Sequence, residues 1–420
     1  MDSPRISRFA VLAAALLCLP LAVYGWYGGW RANLQRVRQT FHQQPKVNYS
    51  EARVPPYTLP DPLAVGGPTV RTPEQWTRRR NEILELFREN VYGRSPGRPD
   101  RLRFQRIEEN TQAMAGMATL ERIAVVSSVA TREHRFELTL FLPNARRDPV
   151  PVFLLLNNRP VSNTDPTRRE PSGFWPAEQV IGRGYGIAAL QNAELAPDDK
   201  DRFRDGMIRL FEGSQSGPRP RDAWGAIAAW AWGASRAMDF FETESRVDAK
   251  RVAVVGHSRG GKAALWAGAE DDRFAMVISN ESGEGGAALA RRQFGETVAL
   301  ITESFPYWFA DSYKGFGGHE DALPTDQHML LALMAPRALY VASADEDLWS
   351  DPRGEFLSLA QASPVYALFG DPPIGVGDMP PPNRPLVVGR RGYHVRTGGH
   401  NLTPFDWERF VDFADSHWAK

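Results

Sequence analysis

The pentapeptide Gly256-His257-Ser258-Arg259-Gly260 sets a serine between two glycines, after the β-rich run Arg251 to Val255 and before the helix-forming Lys262-Ala263-Ala264-Leu265-Trp266. A strand that enters a helix through so tight a turn needs glycine on both sides, because a β-carbon there would obstruct the bend. Such a turn lifts the serine hydroxyl clear of the sheet. In this context Ser258 reads as the nucleophile of an acyl transfer rather than as part of a plain βα turn.

An alcohol is scarcely ionised at neutral pH, so Ser258 needs a base. The chain has eight histidines, and the chain order serine, acid, histidine places the base late. His400 follows Thr397-Gly398-Gly399, in a loop between the last strand and the last helix, from where an imidazole reaches back over the sheet. His394 lies within a strand and is expected to pack and hydrogen-bond. His319 and His328 precede the strand that should carry the acid, and His328 reads as a structural helix residue. The imidazole must be held in one tautomer by a carboxylate. Asp345, Glu346, Asp347 and Asp351 follow the strand Ala338 to Ser343, Glu281 follows the strand before it, and spacing does not choose among them. Arg259 offers its backbone N–H at the oxyanion position, and its guanidinium is a second, charged donor.

These residues must be positioned by strands and helices that alternate along the chain. Short β-rich runs at Arg122 to Val126 and Phe136 to Leu142 alternate in polarity, as antiparallel strands do, whereas Val152 to Leu156 and Tyr185 to Leu190 are more continuously apolar and read as parallel. A strong helix from Asp222 to Phe241, with Asp222 as its cap, carries Trp224, Trp230 and Trp232 for packing against the sheet. Strand and helix then alternate at Arg251 to Val255 and Gly260 to Gly268, at Ala275 to Ser279, and at Ala338 to Ser343 and Arg353 to Ala360. A last strand near Tyr393 to Arg396 and a closing helix from Pro404 to Trp418 complete the pattern. The expected fold is an α/β-hydrolase, a three-layer sandwich with a mainly parallel central sheet. An amphipathic helix from Pro73 to Asn90 precedes it, with the Arg78-Arg79-Arg80 run on its solvated face.

The 420 residues carry 50 basic and 50 acidic side chains, so no net field exists to hold a polyanion, and nucleic-acid binding is not expected. Residues 1–28 read as an export signal or membrane anchor, since Arg5 and Arg8 precede the uncharged apolar run Phe9 to Tyr24. That run is shorter than the roughly twenty residues of a spanning helix, which favours export to the periplasm or beyond over retention. Cys18 is the single cysteine, so a mature chain would have neither disulfides nor a thiolate metal site. Residues 29–72, punctuated by Val54-Pro55-Pro56 and Leu59-Pro60-Asp61-Pro62, read as an extended lead-in to a domain spanning 73–420.

Beyond the pentapeptide, the chain contains Gly261-Lys262, Ser279-Asn280-Glu281-Ser282-Gly283, Phe294-Gly295-Glu296-Thr297, Asp326-Gln327-His328 and Asp347-Leu348-Trp349. With the Pro-rich stretch near residue 54 and the segment from Asp222, these resemble the glucuronoyl esterase family, carbohydrate esterase family 15, in its bacterial branch. The resemblance implies Ser258 as nucleophile, His400 as base and Arg259 as the oxyanion-stabilising side chain. The acid position varies in that family, and both versions are filled here, by Glu281 and by Asp347. It further implies that Lys262, Glu296 and Trp349 bind the sugar. Lys262 lies one helical turn past Ser258, where its ammonium can share the nucleophile's mouth. Asn158-Arg159-Pro160, Tyr307 and Gly261 depart from the family pattern and concern the rim of the pocket rather than the catalytic residues.

The expected activity is therefore hydrolysis of an ester of glucuronic or 4-O-methylglucuronic acid, by a monomer acting on a carbohydrate ester substrate with no metal or organic cofactor. The enzymatic rival is a carbohydrate deacetylase on the same fold. The rival from another class is an inactive carbohydrate-binding relative.

Overall fold

The computed structural model describes residues 47–418 apart from 65, 215 and 216. The expected export segment, residues 1–28, lies outside the described residues, as does the lead-in up to residue 46. By its contacts the chain divides into Met1–Asn48 and Tyr49–Lys420, and the second unit carries all that follows. Residues 49–72 belong to that unit together with everything downstream. Among the described residues no helix is long and apolar enough to cross a membrane.

Among the described residues, ten strands form one sheet. They are β1 (Arg101–Ala113), β2 (Ala118–Val129), β3 (Arg132–Pro143), β4 (Val150–Asn157), β5 (Gly186–Gln191), β6 (Val247–His257), β7 (Met276–Asn280), β8 (Ala338–Ala344), β9 (Leu386–Val388) and β10 (Arg391–Arg396). Their order is β1-β2-β3-β5-β4-β6-β7-β8-β10-β9. β1, β2, β3 and β5 pair antiparallel, and β5-β4-β6-β7-β8-β10 is a continuous parallel block. The chain leaves β4 towards β5 and returns to β6 on the other side, which creates the switch point where α/β sheets hold ligands outside the carboxyl ends of their strands.

Helices cover both faces, as the alternation of strand and helix requires. Along β6, Val252 and Val254 point into one core with the helices Ala226–Phe241 and Arg259–Glu270, while Ala253 and Val255 point into the other with the C-terminal helix Pro404–His417. β4 shares its residues out in the same way, and all eight are buried. Burial on both faces explains why the parallel strands read as unbroken apolar runs.

Four local expectations differ from the structure. β1 is absent from the sequence reading because it is an edge strand with most side chains exposed. Its polarity is tied down by ion pairs such as Arg103 with Glu133 and Arg122 with Glu108, and charge on an edge discourages pairing with other chains. The tryptophan-bearing helix starts at Ala226 with Gly225 as N-cap, whereas Asp222 pairs with Arg94. Carbonyls of Tyr307 and Trp308 accept the N–H groups of Ala226 and Ile227, so backbone takes the role expected of an aspartate. Finally, the arginine run is not uniformly solvated. Arg78 is exposed, but Arg79 is buried and donates to the carbonyls of Leu63 and Pro68, and Arg80 donates to those of Leu333 and Ala269. A guanidinium can be buried when each N–H finds an acceptor. The first helix also ends earlier than expected, at Phe87, and passes into a wider turn at Arg88–Tyr92.

Candidate active site

Ser258 sits at the junction of β6 and the helix Arg259–Glu270, with φ 57° and ψ −129°. A non-glycine residue at such angles is strained, and it persists only where its surroundings over-determine it. Here the Ser258 N–H donates to the Asn280 carbonyl at 2.8 Å, and the Ser258 carbonyl accepts from Gly261 and Lys262. The glycines leave no room for a side chain. A β-carbon on Gly256 would stand 1.9 Å from the Gly260 carbonyl oxygen, and one on Gly260 2.7 Å from that of Leu156. As the first residue of its helix, Arg259 has a backbone N–H with no intrahelical acceptor.

His400 is carried by the loop after β10. Its ring centroid lies 4.4 Å from that of His257, the residue before Ser258. Two carboxylates converge on its Nδ1, Asp347 at 2.6 Å and Glu281 at 3.2 Å. Burial alone would lower the imidazole pKa, but the hydrogen bonds and charges of Asp347 and Glu281 outweigh it and push the value up to about 9. Burial likewise pushes Glu281 up to about 7, against the pull of His400 and Arg396. Asp347 is held below its ordinary value, because the contact with His400 overcomes its burial. Asp347 is therefore the more firmly ionised partner and the nearer one. Nδ1 donates to these acids, which leaves Nε2 as the nitrogen able to accept a proton.

The other acids considered from sequence go elsewhere. Asp345 accepts the N–H of Gly398, Glu346 is exposed, and Asp351 caps the helix Pro352–Gln361 and pairs with Arg292. His394 is buried between Asp406 at 2.8 Å and the Tyr340 hydroxyl at 2.9 Å, and His328 bonds the Pro60 carbonyl from a short helix.

Sequence reasoning missed the groups that hold His400. Arg396, at the end of β10, donates to Glu281 Oε1 at 2.7 Å and to the carbonyls of Gly399 and Asn401, the two neighbours of His400. Its Nε donates to Asp406. The Asn401 N–H donates to Glu281 Oε2 at 2.9 Å. Glu281 thus binds both the imidazole and the loop that bears it. Behind the elbow, buried His257 accepts from Arg159 at Nε2 and donates from Nδ1 to Asn280 at 2.6 Å. An arginine can only donate, so His257 is neutral, in keeping with a pKa that burial and the His400 charge drive well below its ordinary value. No motif announces these contacts, which arise because the parallel strands end side by side.

The Arg259 guanidinium donates from Nη2 to the Asn158 carbonyl at 3.0 Å and lies against Asp198, whose Oδ2 is 2.5 Å from Nε. Lys262 is buried. Its ammonium donates to the carbonyls of Ser282 and Glu284 at 2.5 and 2.7 Å and faces Glu296 at 3.7 Å. It is thus held within the wall beside the elbow rather than standing open beside the Ser258 hydroxyl. Burial raises the Glu296 pKa against the influence of Lys262 and a hydrogen bond with Trp349. The backbone binds the same pair, Glu296 N–H donating to the Trp349 carbonyl at 2.9 Å. Trp349 is half-buried. Among the described residues, Glu281, Asp347 and His400 are the group whose donor atoms, within 4.8 Å of one another, have the geometry to hold a metal ion. Those same atoms form the carboxylate–imidazole contacts described above.

Residues 125–370 match the family described as glucuronyl esterase, fungi. A carbohydrate esterase from an unknown prokaryotic organism is 40% identical over 406 residues, covering 90% of this chain and 93% of its own length. The chain belongs to the glucuronoyl esterase family, carbohydrate esterase family 15. A glucuronoyl esterase from Solibacter usitatus shares the fold with a TM-score of 0.82 and 42% identity, over 88% of this chain and all of that one. A 4-O-methyl-glucuronoyl methylesterase from Schizophyllum commune is 29% identical over 332 residues, 75% of this chain and 74% of its own. As a member of this family, the chain is a carboxylic ester hydrolase with the α/β-hydrolase fold.

Proposed function

We propose that the chain hydrolyses esters between the carboxyl group of (4-O-methyl-)D-glucuronic acid and an alcohol, as in links between glucuronoxylan side groups and lignin, through an acyl-enzyme on Ser258. The observation that carries the reading is the convergence of Asp347 and Glu281 on Nδ1 of His400, whose ring lies 4.4 Å from that of His257, the neighbour of a serine held at positive φ. This arrangement leaves Nε2 as the base. Ser258 Oγ attacks the carboxyl carbon as its proton passes to His400, and the oxyanion meets the Arg259 N–H and guanidinium. His400 then gives the proton to the leaving alcohol, and a water deprotonated by the same imidazole releases the acid.

The sugar is assigned to Lys262, Glu296 and Trp349. A buried ammonium that fixes Glu296, and a tryptophan edge-bound to the same carboxylate, form a wall of acceptor and aromatic face suited to a pyranose. The family and this wall favour the uronate over an acetyl ester, whose acyl group needs no sugar grip. The apolar run after Arg5 and Arg8 supports export to the periplasm or medium, with an N-terminal anchor if the segment is retained, and the enzyme acts as a monomer.

The test is turnover by the purified protein. Benzyl or methyl glucuronate is cleaved, and Ser258→Ala abolishes it. Equal or faster release of acetate from acetylated xylan would overturn the uronate assignment, and no turnover of any ester would favour a binding protein.

A further inference from the structure

Asp198 has no place in the catalytic set above, yet three groups converge on it. It lies in the loop after the short helix Asn192–Leu195 that follows β5. Its Oδ1 accepts from the Tyr307 hydroxyl at 2.8 Å and from the Trp308 indole N–H at 2.7 Å. Its Oδ2 lies 2.5 Å from Arg259 Nε, with the N–H directed off that oxygen, so the contact is an ion pair rather than an aligned hydrogen bond. Both side chains are about three-quarters buried, at 26% and 28% exposure, so solvent screens the pair only in part.

The donors on Asp198 are themselves fixed. Trp308 stacks on Phe305 with centroids 3.7 Å apart, and the carbonyls of Tyr307 and Trp308 hold the N-terminus of the helix Ala226–Phe241. A β-carbon on Gly225 would strike the Trp308 carbonyl at 2.3 Å, so helix and segment meet in backbone contact. The Arg259 guanidinium also lies over the Trp308 ring at 5.8 Å. An arginine has many rotamers to lose. Here it is restrained from three sides, by Asp198 at Nε, by the Asn158 carbonyl at Nη2 and by the indole face.

We infer that Asp198, held by Tyr307 and Trp308, is a positioning residue that aims the Arg259 guanidinium at the oxyanion. The carboxylate neutralises the guanidinium overall, so its contribution is direction rather than field. Tyr307 thereby acquires a part in the chemistry through two contacts, although its hydroxyl touches no reacting group.

The inference rests on the reading of Arg259 as oxyanion donor, and a double-mutant cycle separates the two. With benzyl glucuronate as substrate, Asp198→Ala lowers kcat about 10- to 100-fold, the range of coupling between contacting groups, with KM within about threefold of wild type. In the Arg259→Ala background the same change costs less than about twofold, because nothing remains to be aimed. Tyr307→Phe gives a smaller loss of kcat that also disappears in that background. If Asp198→Ala lowers the melting temperature too far to assay, Asp198→Asn, which keeps the volume and the acceptor for Tyr307 and Trp308, carries the same cycle. Equal losses in both backgrounds, a loss confined to KM, or wild-type kcat would overturn the inference. If Arg259→Ala itself leaves kcat unchanged, the oxyanion reading fails instead.

Discussion

Removing Asp347 tests how two acids share one imidazole. In a triad with a single acid, loss of its charge costs about 10⁴ in kcat. Here Asp347→Ala deletes the acceptor at 2.6 Å but leaves Glu281 Oε2 at 3.2 Å from the same nitrogen. Glu281 is itself fixed by Arg396 and by the Asn401 N–H, so it cannot swing away. Orientation of His400 is therefore weakened rather than lost, and the expected cost is about 10² to 10³ in kcat, or about 3–4 kcal/mol. Glu281→Ala keeps the shorter contact and costs roughly tenfold, mainly by loosening the His400 loop. The double variant reaches the full cost of about 10⁴ or more. Steady-state hydrolysis of benzyl glucuronate, with melting temperatures to confirm folding, measures all three. Asp347→Ala within threefold of wild type, or a single variant as slow as the double, would refute the shared-acid reasoning.

Four further outcomes are expected. Because His400 is pushed up to about 9, kcat/KM rises with pH on a limb whose midpoint lies above the ordinary histidine value of about 6.5. Asp347→Asn shifts that limb to lower pH, and an unmoved limb would contradict the assignment. The raised pKa also means that the His400 contribution to stability is fully present below about 6.5 and is lost as pH rises through about 9. Melting temperature should therefore fall more steeply over that window in wild type than in His400→Ala. Gly256→Ala places a carbon 1.9 Å from backbone that cannot yield, and chemical denaturation should show a loss of about 3 kcal/mol or more. Arg396→Gln releases two carbonyls flanking His400 and leaves Glu281 and Asp406 without their cation, so kcat falls together with stability, whereas a surface arginine such as Arg78 changed to Gln leaves both within error.

The parts of this molecule that could be read from sequence are those where one residue type has one physical use. Glycines around Ser258 are needed wherever a strand turns sharply into a helix, and the elbow lies where the strand and helix patterns meet. The parallel strands were legible because burial on both faces writes an apolar run into β4 and β6. β1 was not, since a half-solvated edge stabilised by ion pairs has the composition of a loop. The helix cap at Asp222 misled because the true cap is backbone supplied from residues 307 and 308, far along the chain. The choice between Glu281 and Asp347 had no answer in spacing, and the structure accounts for this by bringing both to one nitrogen. Asp198 and Arg396 carried no signal at all. Their roles exist only once one sheet has brought the ends of strands far apart in sequence to the same edge, and no local pattern encodes that placement.

The central claim is a uronoyl ester on Ser258, and trapping it is the most direct test. Wild-type protein mixed with excess benzyl glucuronate and quenched in acid within milliseconds should yield a peptide containing Ser258 that is heavier by one uronoyl group. The adduct should be absent from Ser258→Ala, which releases no benzyl alcohol. An adduct on another residue, or benzyl alcohol released at the wild-type rate by Ser258→Ala, would contradict the account.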